Sequence, residues 1–346
     1  MKTVVGTMVA ALMAERPASL LRIAELERPE ALQDDDALVS VEACGVCGTD
    51  LHIMAGEAYQ PELPFVLGHE VVGRVVGPIE SSGPSGPRGP EHQLVAVWPF
   101  LGCGNCRVCA LGEGQLCPAQ ASVTGVSGAF GGFAEYVLVK RDQLVPVPEG
   151  LGTSAAAAVV DAGTTALNAV EAVPAGTTGL HVIVGAGPVG FCVAELLRAR
   201  GVAPVVVERA AKRRLFADGR GFAVAPELGA VTEEPAVVID CGGRGEALAW
   251  AVGALGPHGL VVVVAYGVID RFDTTQISRK EITVKGVRSG TRDQLGRALR
   301  IAASGAMGGF QVREWELTDV NKALEAARAG DPAKQVVVTR AERAMP

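Results

Sequence analysis

The chain lacks any apolar run long enough to span a bilayer. Its longest, such as "VVVVA" at 261–265, fall far short of the roughly 20 residues that a membrane helix needs. It also lacks an excess of positive charge: Lys and Arg number 31 against 38 Asp and Glu, a formal net charge of -7. Polyanion binding relies on clustered basic residues that displace counterions, so nucleic acid is excluded as the main partner. Charged residues make up only 20% of the chain and hydrophobic ones 49%. That balance excludes wholesale disorder and leaves material for a large core. No internal repeat of about 20 to 50 residues is present. A length of 346 residues exceeds one ordinary core and suits two domains.

The opening "MKTVVGTMVAALMAERP" places a lysine before small and apolar residues, as a secretory signal would. Thr3, Gly6 and Thr7 interrupt the apolar stretch, and Glu15 stands where a small-residue cleavage site is required. The segment reads as the first strands of a domain, and the expected compartment is the cytoplasm. A reducing compartment disfavours disulfides and turns clustered cysteines toward metal binding or catalysis. Of the eight cysteines, most are clustered.

The first third, rich in Val and Gly with short apolar runs such as "FVLGHEVVGRVVG" at 65–77, reads as an irregular, mostly β domain. "SSGPSGPRGP" at 81–90 excludes helix and central strand and reads as an exposed loop. From about residue 160 the pattern becomes short apolar runs alternating with helical periods, the mark of parallel βαβ units. The runs are "LHVIV" (180–184), "PVVVE" (204–208), "AVVID" (236–240) and "LVVVVA" (260–265), apolar on both faces and suited to a sheet covered on both sides. "LTDVNKALEAARAG" reads as a helix with Thr318 as N-cap and a stop at Gly330, followed by a last strand, "KQVVVTR".

"HVIVGAGPVGFCVAELLRARG" (181–201) carries Gly185, Gly187 and Gly190 between a strand and a helix, the context that makes this spacing a dinucleotide fingerprint. Pro188 suits a first helical turn, where its missing N–H costs nothing, and the helix N-terminus offers free N–H groups to a pyrophosphate. Glu208 ends the next apolar run, where a carboxylate accepts hydrogen bonds from ribose hydroxyls and favours NAD. Arg209, Lys212, Arg213 and Arg214 pull toward NADP, or form a solvated basic helix face.

"GCGNCRVCALGEGQLCP" presents Cys103, Cys106, Cys109 and Cys117. Four thiolates on one short loop wrap a tetrahedral Zn2+ with no open position, so the site would be structural. An iron-sulfur loop is the weaker alternative. "VEACGVCGTDLH" (41–52) compresses two cysteines, a threonine, an aspartate and a histidine into one turn, and its residue types alone leave metal site, disulfide and plain turn open.

Taken together and in this order, "CGVCGTDLH", "LGHEVVG", the cysteine lobe and the glycine fingerprint resemble the medium-chain, zinc-dependent alcohol dehydrogenase family over essentially the whole chain. The resemblance implies an α/β architecture: a doubly wound Rossmann cofactor domain plus a mostly β, GroES-like catalytic domain. It implies a catalytic domain over 1–162 with the zinc lobe at about 101–118, a dinucleotide-binding domain over 163–295, and a segment 296–346 returning to the catalytic domain. The site would lie in the cleft between the domains.

By the same resemblance Cys47 and His69 are ligands of a catalytic zinc, Glu70 is an occasional ligand, and Cys44 is a buried thiol. Many family members have a cysteine as third ligand; here the matching stretch "VVDAGTTALNAV" offers Asp161, like the subset with an aspartate ligand. An N-cap for the helix that follows is the competing role of Asp161. Thr49 and His52 would carry the alcohol proton, Asp50 would orient His69, and Val189 and Arg213 would join Gly185, Gly187, Pro188, Gly190 and Glu208 in holding the coenzyme. Tyr59, Trp98 and Phe100 are candidate pocket residues. His92, His181 and His258 are expected on surface or in turns.

The implied cofactors are two Zn2+ per chain and NAD, with NADP as the alternative; the implied partner is a small alcohol or carbonyl substrate. A homodimer or homotetramer is implied, with "GLVVVVAYG" (259–267) as an edge strand for pairing. Alternative functions are a polyol or amino-alcohol dehydrogenase, a zinc-free quinone or enone reductase, and a noncatalytic NAD-binding zinc protein. The region around "GPRGPEHQLVAV" lacks the "GDRV" turn common in the family.

Overall fold

The structure is a computed structural model that describes residues 6–31, 33–76, 93–243, 245–268, 274–307, 309 and 311–339. The expected loop at 81–90 and His92 lie outside the described residues, as do the first residues of the expected opening strand. That strand runs over Thr7–Met13 and pairs with Arg22–Glu27 and Phe65–Val66.

Two larger sheets carry the fold. The first has the spatial order Leu144–Pro146, Leu94–Val97, Glu70–Val76, Asp36–Gly45, Lys334–Val338, Val312–Glu316, with Tyr136–Lys140 added alongside Asp36–Gly45. Lys334–Val338 and Val312–Glu316 come from the C-terminal end of the chain, after the second sheet. Lys334–Val338 is inserted antiparallel to Asp36–Gly45, with Val336 opposite Gly45. The second sheet is parallel throughout: Ala223–Ala225, Val205–Val207, Leu180–Val184, Pro235–Asp240, Leu260–Val263, Thr283–Gly286. The first strand of this sheet in chain order, Leu180–Val184, sits at its centre, and the order reverses between it and Pro235–Asp240. That is the switch point at which doubly wound sheets bind ligands.

Its interior strands are short valine-rich runs because both faces are covered. The end strands Ala223–Ala225 and Thr283–Gly286 had no such run to announce them; Thr283–Gly286 is solvent-exposed along its length. This corrects the expectation for "GLVVVVAYG": Leu260–Val263 is paired on both sides, and the free edge belongs to Thr283–Gly286. His181, expected on the surface, is buried in Leu180–Val184 with Nδ1 3.0 Å from the Gly179 carbonyl. His258 is exposed, in a turn at φ 60°. The helix near the C-terminus runs over Val320–Arg328 after a short 3-10 turn, Leu317–Asp319, so Thr318 lies inside that turn and is not the cap.

Two consecutive helices join the sheets. Thr153–Val160 packs on Asp36–Gly45 and Glu70–Val76, and Ala162–Glu171 packs on Pro188–Ala199 of the parallel sheet's layer. The residue between them is Asp161. Arg292–Ala303 contacts both helices and is started by Thr291, whose Oγ1 accepts from Gln294 N at 3.1 Å while Gln294 Oε1 accepts from Thr291 N at 2.8 Å.

The inserted strand brings one charged group into the core. Lys334 is 2% exposed, and its Nζ donates to Glu70 Oε1 at 2.6 Å and to the Val46 carbonyl at 2.9 Å. Glu70 has no exposure. Removing one member of such a buried pair strands the other's charge, at a cost of about 3–5 kcal/mol. Lys334→Met is therefore expected to destabilise the protein by about that amount in denaturant unfolding, and Lys334→Met combined with Glu70→Gln to recover a large part of it. A cost below about 1 kcal/mol for the single variant would contradict the pairing.

Candidate active site and metal centres

Three pieces of chain converge where the sheets meet. Asp36–Gly45 ends in a turn at Cys47, which stands at the N-cap of the helix Gly48–Ala55. Asp50, in the first turn of that helix, has no exposure, and its Oδ2 accepts from Cys47 N at 2.8 Å, which fixes the turn. Its Oδ1 lies 3.5 Å from Nδ1 of His69, at the entry of Glu70–Val76. Asp161 comes from the junction of the two connecting helices.

The ligand atoms of Cys47, His69, Glu70 and Asp161 all lie within 4.8 Å of one another. Cys47 Sγ is 3.6 Å from Asp161 Oδ2 and 3.6 Å from Thr49 Oγ1. Asp161 Oδ1 has Thr165 Oγ1 at 3.4 Å and Ser289 Oγ at 3.5 Å. The aspartate makes no side-chain capping bond to the following helix, so the N-cap role is not what positions it. Beneath, Glu70 Oε1 is held by Lys334 while Oε2 is buried without a hydrogen-bond partner among the described residues. Gly45 is what lets the carboxylate sit there, since a Cβ at that position would meet Glu70 Oε2 at 1.7 Å.

The electrostatics report crowding of like charge. Burial pushes the Glu70 carboxyl up to about 7; the Lys334 ammonium opposes this and Asp161 adds to it. Burial pulls the His69 imidazole down, but Asp50 and Cys47 outweigh it and hold the ring well above its ordinary value. The ammonium of Lys334, disfavoured by burial, is held well up by Glu70 and by the anionic side chains around it. A divalent cation fits this set. Tetrahedral zinc with bonds near 2.0–2.3 Å places neighbouring ligand atoms about 3.3–3.8 Å apart, the separation seen between Cys47 Sγ and Asp161 Oδ2.

The second cluster is formed by Cys103, Cys106, Cys109 and Cys117 on a loop containing the short helix Arg107–Ala110 and the 3-10 turn Gly114–Leu116. All eight cysteines are free. Zn–S bonds near 2.3 Å set tetrahedral sulfurs about 3.8 Å apart, and Cys106 Sγ lies 3.8 Å from Cys117 Sγ. The Cys103 thiol, stabilised as thiolate chiefly by the Asn105 amide, is lowered to about 7, whereas Cys109 is raised to about 11.

Cys47, Thr49, His52, His69 and Asp161 line a cleft of about 1160 Å³ that continues over Gly187, Pro188, Val189 and Gly190. The glycine turn has the required shape: Gly185 holds φ 93°, and a Cβ on Gly190 would stand 1.9 Å from the Gly185 carbonyl. Pro188 occupies the first turn of the helix Pro188–Ala199. Glu208 Oε2 accepts from Ala186 N at 2.8 Å and Oε1 from Ala210 N at 2.7 Å. It thus braces the glycine turn, with one lone pair left on each oxygen for a ligand. Of the four basic residues after it, only Arg213 lines the cleft; Arg209 pairs with Glu246 at 3.4 Å and Arg214 is spent on the carbonyls of Glu208 and Arg209.

His52 is three residues beyond Thr49 on its helix, with Nδ1 2.7 Å from Glu57 Oε2. Tyr59 and Phe100 line the cleft. Trp98 does not: it is buried, its Nε1 donates to the Gly290 carbonyl at 2.9 Å, and its ring stands edge-on to Phe100. Sequence reasoning missed Lys334, Arg288 and Ser289 as cleft residues. For Lys334 a signal existed, a lone lysine opening the apolar run "KQVVV"; for the other two there was none.

Comparison with known proteins agrees with this geometry. The family profile "Alcohol dehydrogenase GroES-like domain" matches residues 33–149 and "Zinc-binding dehydrogenase" matches residues 188–304. An alcohol dehydrogenase of Geobacillus stearothermophilus is 31% identical over 334 residues, covering 92% of this chain and 95% of that protein. L-galactonate-5-dehydrogenase of Escherichia coli K12 is 30% identical over 287 residues, covering 79% and 81%. The solved structure of acetophenone reductase from Geotrichum candidum in complex with NAD superposes with a TM-score of 0.84 at 26% identity, covering 97% of this chain and 98% of that one. With both sheets, the cleft and these relatives in agreement, the chain belongs to the medium-chain, zinc-dependent alcohol dehydrogenase family and is an oxidoreductase that interconverts alcohols with aldehydes or ketones.

Proposed function

We propose that Cys47, His69 and Asp161 hold the catalytic zinc of this enzyme, that Cys103, Cys106, Cys109 and Cys117 hold a structural zinc, and that NAD occupies the glycine-turn half of the cleft. The observation that carries the reading is the convergence of three ligand types on one point of a cleft that also contains the dinucleotide turn. When bound, the zinc supplies Lewis acidity that makes an alcohol proton removable near neutral pH. Glu70 lies on the buried side of the cluster as an occasional further ligand, and Asp50 steadies both Cys47 and His69.

The chain's own groups then account for the proton. Thr49 Oγ1, beside Cys47, accepts the hydrogen bond of the substrate hydroxyl. Glu57 accepts from His52 Nδ1 and so leaves Nε2 as the acceptor that passes the proton to solvent. Glu208 favours NAD because a carboxylate at the end of its strand repels a 2'-phosphate; Arg213 is the one basic neighbour that supports NADP.

The parallel sheet and the returning C-terminal strands support the division into 1–162, 163–295 and 296–346. A cytoplasmic homodimer or homotetramer is the assembly and compartment that the family resemblance favours; among the described residues no helix is long and apolar enough to cross a membrane. Relatives named for a simple alcohol, an aromatic ketone and a sugar acid leave a polyol-type substrate as the second reading. The noncatalytic alternative leaves the turn at 41–52 unexplained.

Cys47→Ala is expected to lower kcat/KM by at least about a thousandfold, on the scale of losing an essential electrophile's support, while NADH binding followed by its fluorescence persists. Retained turnover would refute the assignment. His52→Gln is expected to reduce kcat by about tenfold or more, with partial rescue by added imidazole; an unchanged rate without imidazole would remove His52 from the proton path.

A further inference from the structure

The cleft contains a cation that the proton path does not use. Arg288 lines the cleft together with Tyr59, Phe100 and Tyr266, and the next residue, Ser289, touches Asp161 through its Oγ at 3.5 Å. The guanidinium is therefore carried on the same short stretch that meets the proposed zinc ligand.

Its position is fixed from behind. NH1 donates to the Gln115 carbonyl, NH2 to Gln120 Oε1 at 3.3 Å, and the Phe100 ring lies 5.3 Å from the guanidinium carbon. These contacts use two of its five N–H groups. None of them is a carboxylate, and among the described residues Arg288 makes no ion pair. Of the other charged residues around the cleft, Glu57 is paired with His52, Glu70 with Lys334 and Asp331 with Arg313, while Arg213, which also makes no ion pair among the described residues, lies beside the glycine turn. A partly buried guanidinium held by neutral partners, with donors left over, is a preorganised anion acceptor.

We propose that Arg288 selects alcohols that carry a carboxylate, so that the enzyme acts on hydroxy acids with the hydroxyl toward Cys47, His69 and Asp161 and the carboxylate on Arg288. This rests on the assignment of the catalytic cleft above and names the substrate class it takes. Each charge-assisted contact discriminates against the uncharged analogue by about ten- to a hundredfold.

The test compares propanol, butanol and pentanol, each with the ω-hydroxy acid of the same length, on the zinc-loaded enzyme with NAD. At one chain length or more the ratio of kcat/KM, acid over alcohol, is expected to exceed about ten. In Arg288→Gln that ratio falls by about tenfold or more, and Arg288→Lys retains part of it. Using the ratio cancels any general loss from a displaced lobe, so a purely structural Arg288 would leave it unmoved. Turnover of the neutral alcohols with a ratio near one, or a ratio that survives Arg288→Gln, overturns this inference alone. Turnover of neither series overturns it together with the reading of the site on which it rests.

Discussion

The structure is organised around a Coulombic problem: Cys47, Asp161 and Glu70, three groups that are anionic when ionised, meet within 4.8 Å at the floor of a cleft. At that spacing each pair of unit charges repels by about 3.5 kcal/mol even with an effective dielectric of about 20. Nothing in the local sequence favours such an arrangement, and three separate parts of the chain have to be held together to sustain it. The fold answers with one fixed cation, Lys334, on the strand inserted beside Asp36–Gly45, and leaves the rest of the negative charge for a metal. The sheet topology thus has an electrostatic consequence, since the C-terminal strand is what brings the compensating ammonium beneath the site.

The same economy appears at the junction of the two sheets. Asp161 separates a helix packed on the first sheet from a helix packed on the layer of the second. A ligand placed there ties metal geometry to the relation between the two halves of the cleft. Ser289, from just beyond the last parallel strand, approaches that carboxylate from the coenzyme side. The residues proposed to hold metal and coenzyme are therefore carried by elements that end at one place.

Much of this was legible in the sequence where the physics is local. The glycine turn, the cysteine quartet and the valine runs at 180–184, 236–240 and 260–265 each encode their structure within a few residues. The roles of Thr49, His52 and Asp50 were expected only through the family resemblance, since the residue types of that turn left its purpose open. What escaped depended on distant pairing. The strand Thr283–Gly286 is exposed and carries no apolar run, so the edge of the parallel sheet was assigned to its neighbour. Trp98 looked like a pocket residue from its nearness to the metal motifs, but its indole is committed to the Gly290 carbonyl. His181 reads as a surface residue until the sheet closes over it. Arg288 was silent, and the lysine that opens "KQVVV" was a faint signal, because a lone basic residue gains its meaning only from what faces it across the fold.

The central claim is that an open metal site using Asp161 coexists with a closed site of four thiolates. Zinc content of the purified, fully loaded protein, with and without Asp161→Ala, tests it most directly. The account predicts about two zinc ions per chain, falling to about one in the variant while the cysteine lobe stays loaded. One zinc per chain in the folded, unaltered protein, held by the lobe alone, would contradict it.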